Sequence, residues 1–177
     1  MKRIRISAGG VLLLAALYFL LTLDEFMALM LACAAHELGH IAAIRLTGGR
    51  VSSLTANATG AVIARSASRS RTAEIVCAAA GPIAGLIYAA FASGLGSDML
   101  LLSAGLSLAL SAYNALPALP LDGGRILECI AGHRAAALCS LVTAAGVLLL
   151  GTVLAAGGYG LALVIAGAAL LWQQRGV

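Results

Sequence analysis

The stretch FMALMLACAAHELGHIAAIRL, residues 26–46, carries an H-E-x-x-H motif inside an apolar segment long enough to cross a membrane. Residues four apart share one face of a helix, so His36 and His40 can both reach one metal ion. Glu37 lies beside them, where a base acting on a water at a zinc ion is needed. Because polar groups within a membrane helix are costly unless they are paired or bound to metal, the motif favours a hydrolytic metal centre over a structural histidine pair.

The composition is typical of an integral membrane protein. Of 177 residues, 62% are hydrophobic and 10% are charged, whereas soluble domains carry about 25% charge. We expect one domain spanning residues 1–177, embedded in a lipid bilayer. The net charge of +4 is spread between apolar segments, which is a pattern of membrane topology, so nucleic acid is not an expected partner.

The apolar stretches predict an all-α membrane protein of about six transmembrane helices. The candidate spans are residues 8–23, 26–46, 73–95, 99–116, 135–156 and 159–173. After the second helix, β-favouring residues at 50–55 and 61–64 flank Asn57 and Gly60. They predict a short membrane-associated β-hairpin with an edge strand that can add a substrate strand. An irregular loop is the alternative.

The distribution of charge predicts which ends of these helices face the cytoplasm. Basic residues fall in residues 1–7, 45–72, 117–134 and the C-terminus, and acidic residues without basic ones fall in the alternate turns at residues 24–25 and 98. Six spans with both termini in the cytoplasm satisfy the positive-inside rule.

A hydrolytic zinc site usually has three protein ligands, so a further His or carboxylate must join the histidine pair. Asp122 is a prominent candidate, because the segment NALPALPLDGG at 114–124 combines helix-breaking prolines with glycines that permit a tight turn. A helix N-cap is an equally compatible role for this residue. The other candidates are Asp24, Glu25, Glu74, Asp98, Glu128 and His133.

The combination of H-E-L-G-H on a membrane helix with N-x-x-P-x-x-P-L-D-G-G near a later helix resembles the site-2 protease family (M50) of intramembrane zinc metalloproteases. The likeness covers nearly the whole chain and is greatest to the compact bacterial branch that includes the stage IV sporulation protease, which processes a pro-sigma factor. It implies a bacterial cytoplasmic membrane protein whose single Zn²⁺ is bound by His36, His40 and Asp122. It implies Glu37 as general base and proton donor, and Asn114 as a group holding the substrate strand or the oxyanion. A helix C-cap is the alternative for Asn114.

One element departs from the family pattern. Gly81-Pro82 matches the family's G-P-x-x-N element, but Gly85 stands where the asparagine is expected. The polar side chain of the family pattern is therefore not expected at that position, while the implied zinc ligands are unaffected.

The expected activity is that of a zinc metalloendopeptidase acting in regulated intramembrane proteolysis. Its substrate is a membrane-tethered protein cut in or near its transmembrane segment. A non-catalytic membrane scaffold that binds the same client is one alternative, and a metal transporter is another. The sequence leaves open a regulatory membrane partner or a homo-oligomer.

Overall fold

The protein is built from helices and one small sheet. The computed structural model describes residues 3–57, 60–65 and 70–174, and it divides into two compact units, Met1–Ala112 and Tyr113–Val177.

Four helices make up most of the first unit. They are α1 (Ala8–Leu20), α2 (Leu23–Leu46), α3 (Arg71–Ala92) and α4 (Asp98–Asn114), the last of which ends just inside the second unit.

A capping box separates α1 from α2. The Thr22 hydroxyl accepts from the Glu25 amide at 3.3 Å, and the Glu25 carboxylate accepts from the Thr22 amide at 2.8 Å. The acidic pair at 24–25, expected in a turn, therefore lies in the first turn of α2. Negative charge is favourable there because of the helix dipole.

The predicted hairpin is confirmed, and the irregular loop is excluded. Strands β2 (Val51–Asn57) and β3 (Gly60–Arg65) pair antiparallel with Asn57 opposite Gly60. A strand that the sequence did not predict, β1 (Arg3–Ile6), pairs parallel with β2. The strand order is β1-β2-β3, so β2 is the central strand and β3 is the strand of the predicted hairpin that lies at an edge of the sheet. Proline in β2 would disrupt the sheet itself, and a test of strand addition must target β3 or β1.

The described part of the second unit contains three helices, α5 (Asp122–Ala131), α6 (His133–Ala156) and α7 (Ala162–Gln173). Helices α6 and α7 form an antiparallel pair, in which Gly151 meets the backbone of Leu163 and Gly167 meets that of Leu148. Without side chains at these two positions the helix backbones approach closely. The short helix α5 is too brief to span a bilayer and was not among the predicted spans.

Three of the described helices are long and apolar enough to cross a membrane, namely α2, α3 and α6, with 24, 22 and 24 residues. Helices α1 and α7 are apolar but shorter, with 13 and 12 residues. Helix α4 has 17 residues and carries buried serines. The chain is thus a helical membrane protein, and the count of six spans remains a prediction.

Candidate metal centre

His36 and His40 form a convergent pair on α2. Both side chains are buried, with 4% and 8% of their surface exposed. Their Nε2 atoms lie 3.1 Å apart and their ring centroids 4.8 Å apart. Two nitrogens bound to one tetrahedral zinc at about 2.0–2.1 Å are separated by about 3.3 Å. The spacing of the pair therefore fits two ligands of a single zinc ion.

A hydrogen bond from the next helix orients His40. Its Nδ1 lies 2.7 Å from the carbonyl oxygen of Cys77 on α3. A carbonyl only accepts, so Nδ1 carries the proton, and in a neutral ring the Nε2 atom presents its lone pair. Backbone carbonyls hold metal-binding histidines in this way in many sites. Residue 77 thus contributes through its backbone, which leaves no signature in the sequence.

Gly81 on α3 faces both Nε2 atoms. A β-carbon at this position would collide with Nε2 of His40 and would lie 2.8 Å from Nε2 of His36. The missing side chain leaves room where a metal shared by the pair would sit. The sequence relates Gly81-Pro82 only to a family element, and its proximity to the histidines depends on the packing of α3 against α2.

Gly81→Ala is expected to weaken zinc binding at least about tenfold, because the added methyl group competes with the metal and turns the rings aside. Zinc content after dialysis against a graded chelator measures the effect. Gly105→Ala on α4 is the matched control, since a β-carbon there has no heavy atom within 4 Å. Equal zinc retention by the two variants would contradict the assignment.

Glu37 follows His36 on α2, and its side chain is half-buried. Its place beside the two histidines follows from helix geometry. Asn114 is the last residue of α4 and is also half-buried. Their catalytic and substrate-binding roles remain predictions.

Asp122 is the first residue of α5 in the second unit, and only 6% of its surface is exposed. The N-cap residue of this helix is Leu121, so the alternative role of Asp122 as an N-cap is wrong. Arg125 lies one turn further along, with Nη1 3.5 Å from Oδ1 of Asp122. The N-terminal end of the α5 dipole and this guanidinium both place positive charge beside the carboxylate.

The two glycines after Asp122 allow the preceding loop to cross the start of α5. A β-carbon on Gly123 would collide with the carbonyl of Ala115, and one on Gly124 would lie 2.5 Å from the carbonyl of Ala118. Neither glycine has a positive φ. Close backbone approach, and not the predicted tight turn, is therefore what requires glycine here.

Two side chains that sequence reasoning missed hold this loop at Leu119. Its amide donates to the Ser140 hydroxyl of α6 at 2.7 Å, and its carbonyl accepts from the Gln174 side chain at 2.6 Å. Both backbone groups of one residue are thereby satisfied within the second unit.

His133, one of the candidate third ligands, has another partner. It begins α6 and its Nδ1 lies 2.7 Å from the Glu128 carboxylate, in an exposed pair across the α5–α6 junction. The two side chains thus connect the end of α5 to the start of α6.

An apolar helical unit that buries an H-E-x-x-H histidine pair is typical of a membrane metallopeptidase. A family model described as Peptidase M50B-like matches residues 8–117, and the chain belongs to this family. The match includes the histidine pair, Gly81 and Asn114, and it ends before Asp122. The predicted resemblance to site-2 proteases is confirmed.

A solved structure has the same fold. The site-2 protease from Methanocaldococcus jannaschii aligns with a TM-score of 0.72 and 19% sequence identity, over 97% of this chain and 88% of that one. No curated protein matches the chain significantly.

Proposed function

We propose that the protein is a zinc-dependent intramembrane endopeptidase that hydrolyses a peptide bond in or near the transmembrane segment of a membrane-tethered protein. The observation that carries this proposal is the buried pair of Nε2 atoms facing the space left by Gly81. The hydrogen bond from His40 to Cys77 supports it, because it presents the lone pair of His40 toward that space.

The proposed ligands are His36, His40 and Asp122, the last contributed by the second unit. Two neutral imidazoles and one carboxylate form a donor set typical of hydrolytic zinc sites, which keep a further position open. When bound, zinc acts as a Lewis acid and lowers the pKa of water to about 7. The carboxylate of Asp122 offsets part of the metal's charge.

The other groups move protons and hold the substrate. Glu37 takes a proton from the attacking water as its oxygen bonds to the peptide carbonyl carbon. The carbon–nitrogen bond then breaks, and Glu37 returns the proton to the leaving amine, which gives a carboxylic acid and an amine as products. The Asn114 amide donates a hydrogen bond to the substrate strand or to the carbonyl oxygen as negative charge develops on it.

The proposed setting is the bacterial cytoplasmic membrane, with six spans and both termini in the cytoplasm. The charges on α2 support this orientation, since Asp24 and Glu25 lie in its first turn and Arg45 in its last. His40 lies in the half of the helix that ends at Arg45, so water and substrate would reach the centre from the cytoplasmic side.

Removal of zinc from the protein reconstituted in liposomes is expected to abolish cleavage of a co-reconstituted single-span reporter, and added Zn²⁺ is expected to restore it. Added Mg²⁺ should not restore cleavage, because it prefers oxygen ligands and octahedral geometry. Gel analysis of the reporter measures both results. Cleavage that persists in zinc-free protein would contradict the proposal, and a zinc-loaded protein that binds reporters without cutting would favour the scaffold alternative.

A further inference from the structure

Three serines lie on one face of α4, at positions 103, 107 and 111. All are buried, with 0%, 0% and 2% of their surface exposed. The first two have partners on neighbouring helices. Ser103 donates to the carbonyl of Ala28 on α2 at 2.8 Å, and Ser107 donates to the carbonyl of Gly85 on α3 at 2.9 Å. These two hydroxyls join helices of the first unit.

Ser111 differs from the other two. Its Oγ atom is buried and has no hydrogen-bond partner within the described part of the chain. An unpartnered buried hydroxyl is destabilising, and such groups are few in native proteins. Alanine at this position would avoid the cost, so packing does not account for the serine.

The Ser111 hydroxyl points at the face of α3 that also meets the histidines. A β-carbon on Gly85 would collide with Oγ of Ser111, and a β-carbon on Gly81 would collide with Nε2 of His40. These two glycines are four residues apart and share one side of α3, separated by about 6 Å along the helix. The hydroxyl therefore lies about one helical turn from the histidine pair.

The register of the three helices supports this placement of Ser111 along the helix axis. Along α3, Tyr88 contacts Ser103, Gly85 contacts Ser107 and Ser111, and Gly81 contacts the histidines. Helices α2 and α4 thus both run antiparallel to α3 and parallel to each other. Ser103 bonds to Ala28, and eight residues further along each helix are Ser111 and His36. Equal rise on two parallel helices therefore keeps Ser111 within about one helical turn of His36 along the helix axis.

We propose that Ser111 is a substrate-binding residue, whose hydroxyl donates a hydrogen bond to the carbonyl oxygen of the peptide bond being cut. This inference rests on the proposed peptidase function. Negative charge grows on that oxygen during attack, so a donor fixed about one helical turn from the histidine pair stabilises the transition state more than the bound substrate. His36, His40 and Ser111 are all buried, and all three meet the same side of α3.

The test compares Ser111→Ala with Ser107→Ala in liposomes that contain the single-span reporter. Ser111→Ala is expected to lower kcat about 100-fold, with little change in KM and unchanged zinc content. Its thermal midpoint should equal or exceed that of the wild type, since an unpartnered hydroxyl is lost. Ser107→Ala should show the opposite pattern, with a lower midpoint and kcat close to wild type, because it loses only a bond between helices.

Each other outcome overturns the inference. A Ser111→Ala variant whose kcat stays within about threefold of a cleaving wild type refutes the role of the hydroxyl and leaves the peptidase function intact. A variant that loses zinc or stability in parallel with its loss of rate assigns Ser111 a structural role. A zinc-loaded wild type that cuts no reporter refutes the peptidase function, and the inference fails with it.

Discussion

Glu37→Gln is expected to lower kcat for the membrane-tethered reporter by about 1,000-fold, while the protein keeps its zinc. Glutamine has nearly the same shape but cannot accept the proton of the attacking water or return one to the leaving amine. General acid–base catalysis by one positioned side chain contributes typically 10²–10⁴-fold to a rate, which sets the scale of the loss. The ligands His36 and His40 are unchanged, so metal content should not fall. Rates from reporter gels and zinc from mass spectrometry measure the two quantities on one preparation.

Glu25→Gln is the matched control, since it makes the same substitution on the same helix. Glu25 belongs to the capping box with Thr22 at the start of α2, and glutamine is tolerated in that motif. The control should therefore cut at close to the wild-type rate. Equal cleavage by Glu37→Gln and the wild type would remove Glu37 from the mechanism.

Asp122→Ala is expected to weaken zinc binding by about 100-fold or more and to abolish cleavage at limiting zinc. The variant loses one of three proposed ligands and the only carboxylate among them, whereas loss of an outer-shell partner alone costs 10–100-fold in affinity. Zinc competition with a chromophoric chelator measures the affinity, and the reporter assay measures the rate.

Asp98→Ala controls for the position of the residue in its helix, because Asp98 also opens a helix and lies in its first turn. Both variants lose the same favourable contact with a helix dipole, worth about 0.3–1 kcal/mol. Only Asp122→Ala should lose zinc. If both variants kept zinc at the wild-type level, Asp122 would serve only as the first residue of α5.

Local patterns in the sequence predicted the elements whose formation depends on local interactions. Helix α2 was expected at 26–46 and begins at Leu23, because the capping box at Thr22 draws the acidic pair into its first turn. The hairpin followed from β-favouring residues around Asn57 and Gly60. Strand β1 was missed because its pairing with β2 joins residues about fifty apart in the sequence, and its basic residues were explained by topology alone.

The residues of the candidate site likewise separate into those that local sequence predicts and those that depend on contacts between helices. The spacing of His36 and His40 predicts a shared face, since helix geometry alone determines it. The carbonyl of Cys77 and the missing side chain of Gly81 matter only because α3 packs against α2. In the sequence, Ser111 is likewise indistinguishable from any other small residue of a membrane helix. Only the packing of the helices shows its position relative to His36. Such contributions from neighbouring helices leave no motif in the sequence by which they could be predicted.

X-ray absorption at the zinc edge of the purified wild-type protein shows directly whether the histidine pair binds a single zinc ion. We expect one zinc per chain with nitrogen and oxygen ligands at about 2.0–2.2 Å, including two imidazoles. Cys33 and Cys77 are free thiols on the two helices that meet at the histidines, so sulfur ligation is a real alternative. A zinc–sulfur distance of about 2.3 Å, or a spectrum without imidazole scattering, would contradict the account.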